Sequence, residues 1–343
     1  MKKKKALLYS LLALLLLGSL VLGTGYYLAL APQFHPTRES YVYIDADDTM
    51  DSVLHKLSDT SRGGNITALE WAARYKGYDR HVRTGRYLIA PGDNVYQVFT
   101  RLYRGHQTPL PLTIGNTRTV EQLAGSVGRR LMIDSTEIVR TLIDTDYLAG
   151  MGYDERTLPA LFVPDTYEVY WNISAEQFFE RMRQEHDRFW NTRRLEQATA
   201  IGLSEEEVCT LASIVEEETN KNDEKPIVAG LYINRLRKGM PLQADPTIKF
   251  ALGNFALRRV TNDDLKVDSP YNTYTHTGLP PGPIRIASKQ GIESVLDYAR
   301  HNYLYMCAKE DFSGYHNFAS NLADHLENAR KYQKALNERK IFR

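Results

Sequence analysis

The sequence predicts an α+β chain built from an N-terminal transmembrane helix, a small mixed module and a larger α+β domain. Three observations carry that expectation. An uncharged stretch runs from Ala6 to Ala31 behind four consecutive lysines, strand-like alternation and helical spacing interleave between residues 41 and 114, and the remaining chain carries capped helical patterns separated by Pro- and Gly-rich loops. The chain has 343 residues, which at roughly 150 per domain suits about two folded domains. Charged residues make up 25% and hydrophobic residues 43%, ordinary values that exclude a disordered chain or a disulfide-stapled mini-protein.

The first element is the apolar stretch. As a helix rising about 1.5 Å per residue it reaches about 39 Å, enough to cross a hydrocarbon core of about 30 Å with some tilt. A cleaved signal peptide is the rival reading, since Ala29-Leu30-Ala31 resembles a cleavage site. The apolar run is twice the usual length for such a peptide, however, and Pro32 follows directly. The expectation is therefore a cytoplasmic tail at 1–5, a retained transmembrane helix at 6–31 and a polar stalk at 32–40. Lysines on the cytoplasmic flank place residues 32–343 on the outer side of the membrane.

Removing those four lysines from the 43 basic residues leaves 39 against 42 acidic ones, so the folded part is mildly acidic. A chain without a concentrated cationic surface has no electrostatic footprint for nucleic acid. Cys209 and Cys307 lie in apolar patterns and read as two buried thiols, with no spacing that supports a disulfide.

The module at 41–115 begins with the alternating Tyr41-Val42-Tyr43-Ile44-Asp45-Ala46, a strand. Residues 49–57 and 66–75 carry helical spacing, and 86–89 is strand-like. After the turn Pro91-Gly92-Asp93-Asn94, Val95, Val98, Phe99 and Leu102 mark a helix ending at Gly105, and 109–114 is a further strand. A linking helical region at 116–200 follows, with helices at 122–127, 135–143 and 176–190 and a turn at Pro164-Asp165. Residues 201–343 form the second compact domain.

Familiar catalytic patterns are missing from the sequence: there is no G-x-S-x-G, S-x-x-K, H-E-x-x-H or phosphate-cradling glycine loop. The nine histidines do not fall at ligand spacing, so His316 and His325 read as hydrogen-bonded or surface groups rather than zinc ligands; no metal and no cofactor is expected. The segment from Ser204 to Thr219 is different. Ser204 and Glu207 form a capping box that fixes the register of a helix, and Val208, Leu211, Ala212 and Val215 form its core-facing stripe. Projected at about 100° per residue, Glu217 lies opposite that stripe, Glu216 falls to one side and Glu218 stays beside the apolar face. Glu216 and Glu217 therefore read as a solvated face. A carboxyl kept near apolar side chains has its pKa raised towards neutrality, as a general acid at neutral pH requires, which makes Glu218 the candidate.

Downstream, residues 239–247 and 269–284 combine Pro and Gly with Gln, Asp, Asn and Tyr. They read as rigid loops presenting amides and aromatic rings, a surface suited to a sugar, or simply as well-ordered turns.

At these residues the chain resembles the bacterial endolytic murein transglycosylases of the MltG (YceG-like) type. The resemblance runs through Phe162-Val163-Pro164-Asp165-Thr166-Tyr167, Leu211 to Thr219, Asn234-Arg235-Leu236, Gly239 to Thr247, Tyr271-Asn272-Thr273-Tyr274, Gly278 to Ile284, Tyr303-Leu304-Tyr305 and His316-Asn317-Phe318. The family's catalytic glutamate is the second of its Glu-x-Glu-Thr motif, which falls on Glu218. Two places depart from the pattern: Arg285-Ile286-Ala287-Ser288 stands where Asn-Pro is common, and only residues 81–105 of the module fit the later half of the family's LysM-like module closely.

The resemblance implies a LysM-like module at 41–115 and a catalytic YceG-like domain at 201–343. It implies a single-pass inner-membrane lyase with a periplasmic catalytic domain that cuts the MurNAc-GlcNAc bond of nascent peptidoglycan strands, ends their elongation and works near penicillin-binding synthases. Gln243, Asp245, Tyr271, Asn272 and Tyr274 are the candidates for holding the glycan. A lytic transglycosylase needs one carboxyl, because the sugar's own 6-hydroxyl displaces the leaving group, whereas ordinary glycosidases need two. Two alternatives stand beside it: an inactive membrane-anchored glycan-binding scaffold, and a water-using muramidase with Asp245 or Glu216 as a second acid.

Overall fold

A computed structural model describes residues 2–61, 64–257 and 259–339. Residue 1 of the expected tail, 62–63 of the module, and 258 and 340–343 of the last domain lie outside the described residues. The chain packs as two units: one of residues 1–112, 130–132 and 168–173, the other of 113–129, 133–167 and 174–343.

The first unit opens with helix α1 (Lys2–Leu30). Its stretch Lys5–Leu30 is long and apolar enough to cross a membrane, and none of it is buried by the rest of the chain. Strand β1 (Ser40–Ile44) then pairs antiparallel with β2 (Gly85–Ile89), with Val42 opposite Tyr87 and Ile44 opposite Gly85. Alternation puts Val42 and Ile44 on the inner face while Tyr43 points outward. Helices α2 (Met50–Ser61), α3 (Ile66–Tyr75) and α4 (Val95–Arg104) complete the unit. Their apolar residues, among them Val53, Leu57, Leu69, Val98 and Leu102, close one core with Phe34 and Tyr87. Helix α4 is bounded as its sequence dictates, by a capping box between Asn94 and Gln97 and by Gly105 at φ +71°.

Asp93, just before α4, joins several of these elements. Its carboxylate pairs with the Arg101 guanidinium and accepts from the Ala90 N–H at 2.6 Å, while its carbonyl accepts from Gln33 and Phe34 at 3.0 Å.

Strands β3 (Leu110–Ile114) and β4 (Asp165–Val169) form a second two-stranded sheet. Asp165 was expected in a turn and instead begins a strand. Pro164 holds the residue before it extended and, standing outside the ladder, removes no donor from it. Between and after these strands run α5 (Val120–Gly128), α6 (Ser135–Ile143), α7 (Thr145–Gly150), α8 (Ala175–Phe189) and α9 (Thr192–Ile201).

The second unit is organised around α10 (Glu205–Glu218), followed by α11 (Lys225–Arg237), α12 (Asp245–Ala251), α13 (Lys289–Leu296), the antiparallel hairpin β5 (Tyr305–Ala308) and β6 (His316–Ala319), and α14 (Leu322–Glu338). The sequence pattern gives α10 one apolar stripe, yet every residue from Val208 to Glu216 is buried, including Cys209, Thr210 and Ser213. Helices α9, α11, α12 and α13 all contact it, so there is no solvated face left for polar residues to occupy. Ser213 is satisfied internally, donating to the Thr210 carbonyl at 2.7 Å and accepting from the Ile284 N–H at 3.0 Å.

Removing a charge from the Asp93–Arg101 pair leaves a partly buried guanidinium without its partner. Asp93→Ala is expected to destabilise the first unit by about 3 kcal/mol. Hydrogen exchange of the β1 and β2 amides in the full chain measures the loss; unchanged protection would assign the pair no role.

Candidate active site

The Ser204–Glu207 capping box forms as the sequence requires: the Ser204 hydroxyl accepts from the Glu207 N–H at 3.2 Å and the Glu207 carboxylate accepts from the Ser204 N–H at 2.8 Å. With the start fixed, the helix delivers three consecutive glutamates at its other end, each into a different environment.

Glu216 is buried and turned towards α13. Its carboxylate accepts from the Ser288 N–H at 3.0 Å and from the Ser288 hydroxyl, with the Lys225 ammonium 3.6 Å away. Gly291 makes room for it, since a Cβ there would stand 2.8 Å from Glu216 Cδ. Glu217 lies between two guanidiniums, accepting from Arg118 at 2.8 and 2.9 Å and from Arg285 at 2.5 Å. Neither is the solvated face expected from the helix projection. Residues 116–118 and 284–288 close over the end of α10, which the projection of one isolated helix does not contain.

Glu218 faces a groove, separate from the small cavity that Glu217 lines beside Arg118 and Lys249. This groove, of about 230 Å³, is lined by Glu218, Tyr232, Arg235, Gln243, Asp245, Tyr274 and His316, with Met306 and Cys307 from β5. The Tyr232 hydroxyl donates to the Glu218 carboxyl at 2.7 Å. Burial pushes the Glu218 pKa up to about 7; the Tyr232 bond opposes that rise, the Asp245 charge adds to it, and His316 and Lys249 oppose it. Burial and the neighbouring Glu218 push the Tyr232 phenol well above its usual range, so it remains a donor.

The groove walls are tied to one another. Arg235 donates to the carbonyls of Leu304, Pro241 and Leu242 at 2.6, 3.0 and 2.9 Å and to the Gln243 side-chain oxygen at 3.1 Å. Gln243 sits at φ +51°, an unusual conformation for a residue other than glycine. Its N–H donates to the Thr273 carbonyl at 3.0 Å, and the Ala244 N–H donates to the Thr273 hydroxyl at the same distance. Asp245 opens α12 and accepts from the Tyr274 hydroxyl at 2.5 Å. On the opposite wall the buried Glu224 accepts from the His316 backbone N–H at 2.7 Å and lies 2.9 Å from His316 Nδ1.

Of the residues expected from the sequence, Glu218, Gln243, Asp245 and Tyr274 converge on this groove, whereas Tyr271 and Asn272 do not line it. Asn272 is fully buried: its amide donates to the Leu265 and Val267 carbonyls at 2.9 Å each, and its oxygen accepts from the Tyr274 N–H at 3.0 Å. It holds the loop that presents Tyr274. Tyr271 packs its ring, tilted by 49°, against Phe250 with centroids 4.6 Å apart, beside the core. The groove also contains Tyr232, which sequence reasoning passed over, Arg235, which it quoted only within a motif, and His316, which it read as a hydrogen-bonded or surface group. From Pro226 to Ile233 helix α11 is apolar on every side, and the Tyr in that run and the Arg just beyond it are buried and need partners; that was the available signal. Both cysteines are free thiols.

A family model described as the YceG-like family matches residues 42–331. The chain belongs to the YceG-like family. It is 28% identical over 290 residues to a protein of Bacillus subtilis (strain 168) named endolytic murein transglycosylase, covering 79% of each chain. A protein of the same name from Streptococcus pneumoniae (strain ATCC BAA-255 / R6) is 28% identical over 295 residues, which is 76% of this chain; the chain spans about half the length of that relative, 52%. Among solved structures, a putative YceG-like protein of Listeria monocytogenes superposes with a TM-score of 0.57 at 27% identity, covering 85% of this chain and 99% of that one. The fold of this chain is thus the YceG-like fold.

Two expectations follow from the geometry. Folding binds a proton to Glu218 more tightly than the unfolded chain does, because its pKa rises from 4.5 to about 7. The stability linked to that proton is complete below the unfolded value and is lost as pH rises through about 7. Glu218→Gln is therefore expected to be more stable than the wild type above neutrality by on the order of 2 kcal/mol, the gap closing in acid. Thermal unfolding across pH measures this, and a pH-independent difference would contradict the assigned burial. Glu217→Gln is expected to cost about 2 kcal/mol in denaturant unfolding, by stripping Arg118 and Arg285 of their shared partner.

Proposed function

We propose that this chain is an endolytic peptidoglycan lytic transglycosylase in which Glu218 alone serves as general acid and then general base. The observation that carries the proposal is a carboxyl at the floor of a polar groove, held near neutrality by burial and hydrogen-bonded by a tyrosine. Family membership and relatives named endolytic murein transglycosylase support the substrate class.

Protonated Glu218 gives its proton to the oxygen joining MurNAc C1 to the next GlcNAc, and the C1–O bond breaks. The carboxylate then takes the proton of the MurNAc 6-hydroxyl as that oxygen bonds to C1, leaving a 1,6-anhydro-MurNAc end and consuming no water. Tyr232 suits both halves, since its bond to Glu218 steadies the carboxylate formed midway. Gln243, Asp245 and Tyr274 position the glycan in the groove, Asn272 and Arg235 brace the loops that carry them, and Tyr271 fixes the base of its loop.

In this reading α1 is a single-pass inner-membrane anchor with a cytoplasmic N-terminus, placing the groove in the periplasm. Residues 41–115 form a LysM-like module that contacts glycan, 116–200 link it to the catalytic region at 201–343, and cleavage ends strand elongation beside penicillin-binding synthases. Asp245, in the same groove, favours one alternative, a muramidase with two carboxylates acting through water.

Mass spectrometry of digested glycan strands separates these. Anhydro ends are expected from the wild type; reducing ends would assign Asp245 the water-activating role, and absence of cleavage would leave a binding scaffold. Glu218→Gln is expected to lower turnover by at least a thousandfold, within the scale of losing an essential acid and base. The wild-type kcat/KM is expected to fall tenfold per pH unit above about 7, where Glu218 loses its proton. Substantial turnover in the Gln variant would overturn the assignment.

A further inference from the structure

We infer that the outward face of α3 and the start of α4 rest on the outer-leaflet phospholipid surface from which α1 emerges. Helix α3 has two apolar faces. Leu69 and Ala73 enter the core of the first unit, whereas Trp71 and Tyr75, at the same four-residue spacing, are 77% and 83% exposed. With Tyr96 of α4, and with Leu28 and Ala29 from the last turn of α1, they line a groove of about 570 Å³. An apolar patch of this kind on a chain in water marks a surface with a partner.

The occupant follows from how α1 is joined to the unit. The Gln33 amide donates to the Leu28 carbonyl at 3.2 Å and to that of Tyr27, the Asn94 amide donates to the Leu30 carbonyl at 3.2 Å, and Gln33 and Phe34 are held by the Asp93 carbonyl at 3.0 Å. No slack separates the apolar helix from the module. A groove with the last turn of α1 as one wall therefore lies where the helix leaves the hydrocarbon. Trp and Tyr are the side chains favoured at that depth, and Tyr26 and Tyr27 of α1 lie within one turn of Leu28. Lys76, its ammonium 5.6 Å over the Tyr75 ring, places a cation beside the anionic headgroups. This inference rests on the reading of α1 as a membrane span.

The test reconstitutes the full chain into phosphatidylethanolamine–phosphatidylglycerol vesicles whose acyl chains carry bromine near the headgroup. Helix α1 contains no Trp, and the chain has three in all, so quenching lost in Trp71→Phe belongs to Trp71. At least a twofold fall in Trp71 emission, with a blue shift, is expected. An unquenched Trp71 in protein that alkaline carbonate does not extract would overturn the docking and leave the span intact; extraction by carbonate would overturn both. Shielding of Trp71 from aqueous acrylamide without bromine quenching would assign the groove to a second copy of the chain. Protection that appears only on adding soluble glycan strands would assign it to glycan. Either result would overturn the lipid proposal.

Discussion

The half-sheltered hydrogen bond from the Tyr232 hydroxyl to the Glu218 carboxyl, made at the wall of the groove, is the interaction around which the second unit is arranged. Burial alone would favour a permanently protonated acid, and a strong donor alone would favour a permanently ionised one. Together they leave the group near the midpoint, where gaining and losing a proton cost comparable free energy. The phenol can play this part because it is itself buried and keeps its proton.

Such a balance requires that other charges near the helix end be neutralised first. Glu216 is engaged by Ser288 and Lys225, and Glu217 by Arg118 and Arg285, so the two preceding carboxylates have partners of their own. Three successive residues at about 100° intervals meet three different neighbours, and the partition follows from helical geometry once those neighbours are in place. The groove walls obey the same economy: Arg235 spends its donors on backbone carbonyls, and the Thr273 backbone and hydroxyl fasten the Gln243–Ala244 turn.

What the sequence disclosed was local. The capping box at Ser204, the helix at 66–75 and the one that stops at Gly105 were legible because caps and periodicity are read within a few residues. Glu218 was singled out because one helical projection sufficed to keep it near the apolar side. Asn272 was assigned to the groove from its polar type, but polarity does not say whether an amide meets a ligand or a carbonyl of its own loop. Tyr232 lies fourteen residues from its carboxyl partner, and Glu224 ninety-two residues before the imidazole it binds, so only the packing of separate elements pairs them. The four-residue strands β5 and β6 carry too few residues for alternation to stand out.

The clasp around Glu217 draws on widely separated parts of the chain: Arg118 precedes Glu217 by ninety-nine residues and Arg285 follows it by sixty-eight. A ribosome delivers these in sequence order. When α10 is first complete, Arg118 is already available, but Arg285 and the Ser288 that receives Glu216 have yet to be made. Until residue 288 has been made, the acidic end of α10 lacks these two partners, so the clasp around Glu216 and Glu217 closes only after most of the chain exists.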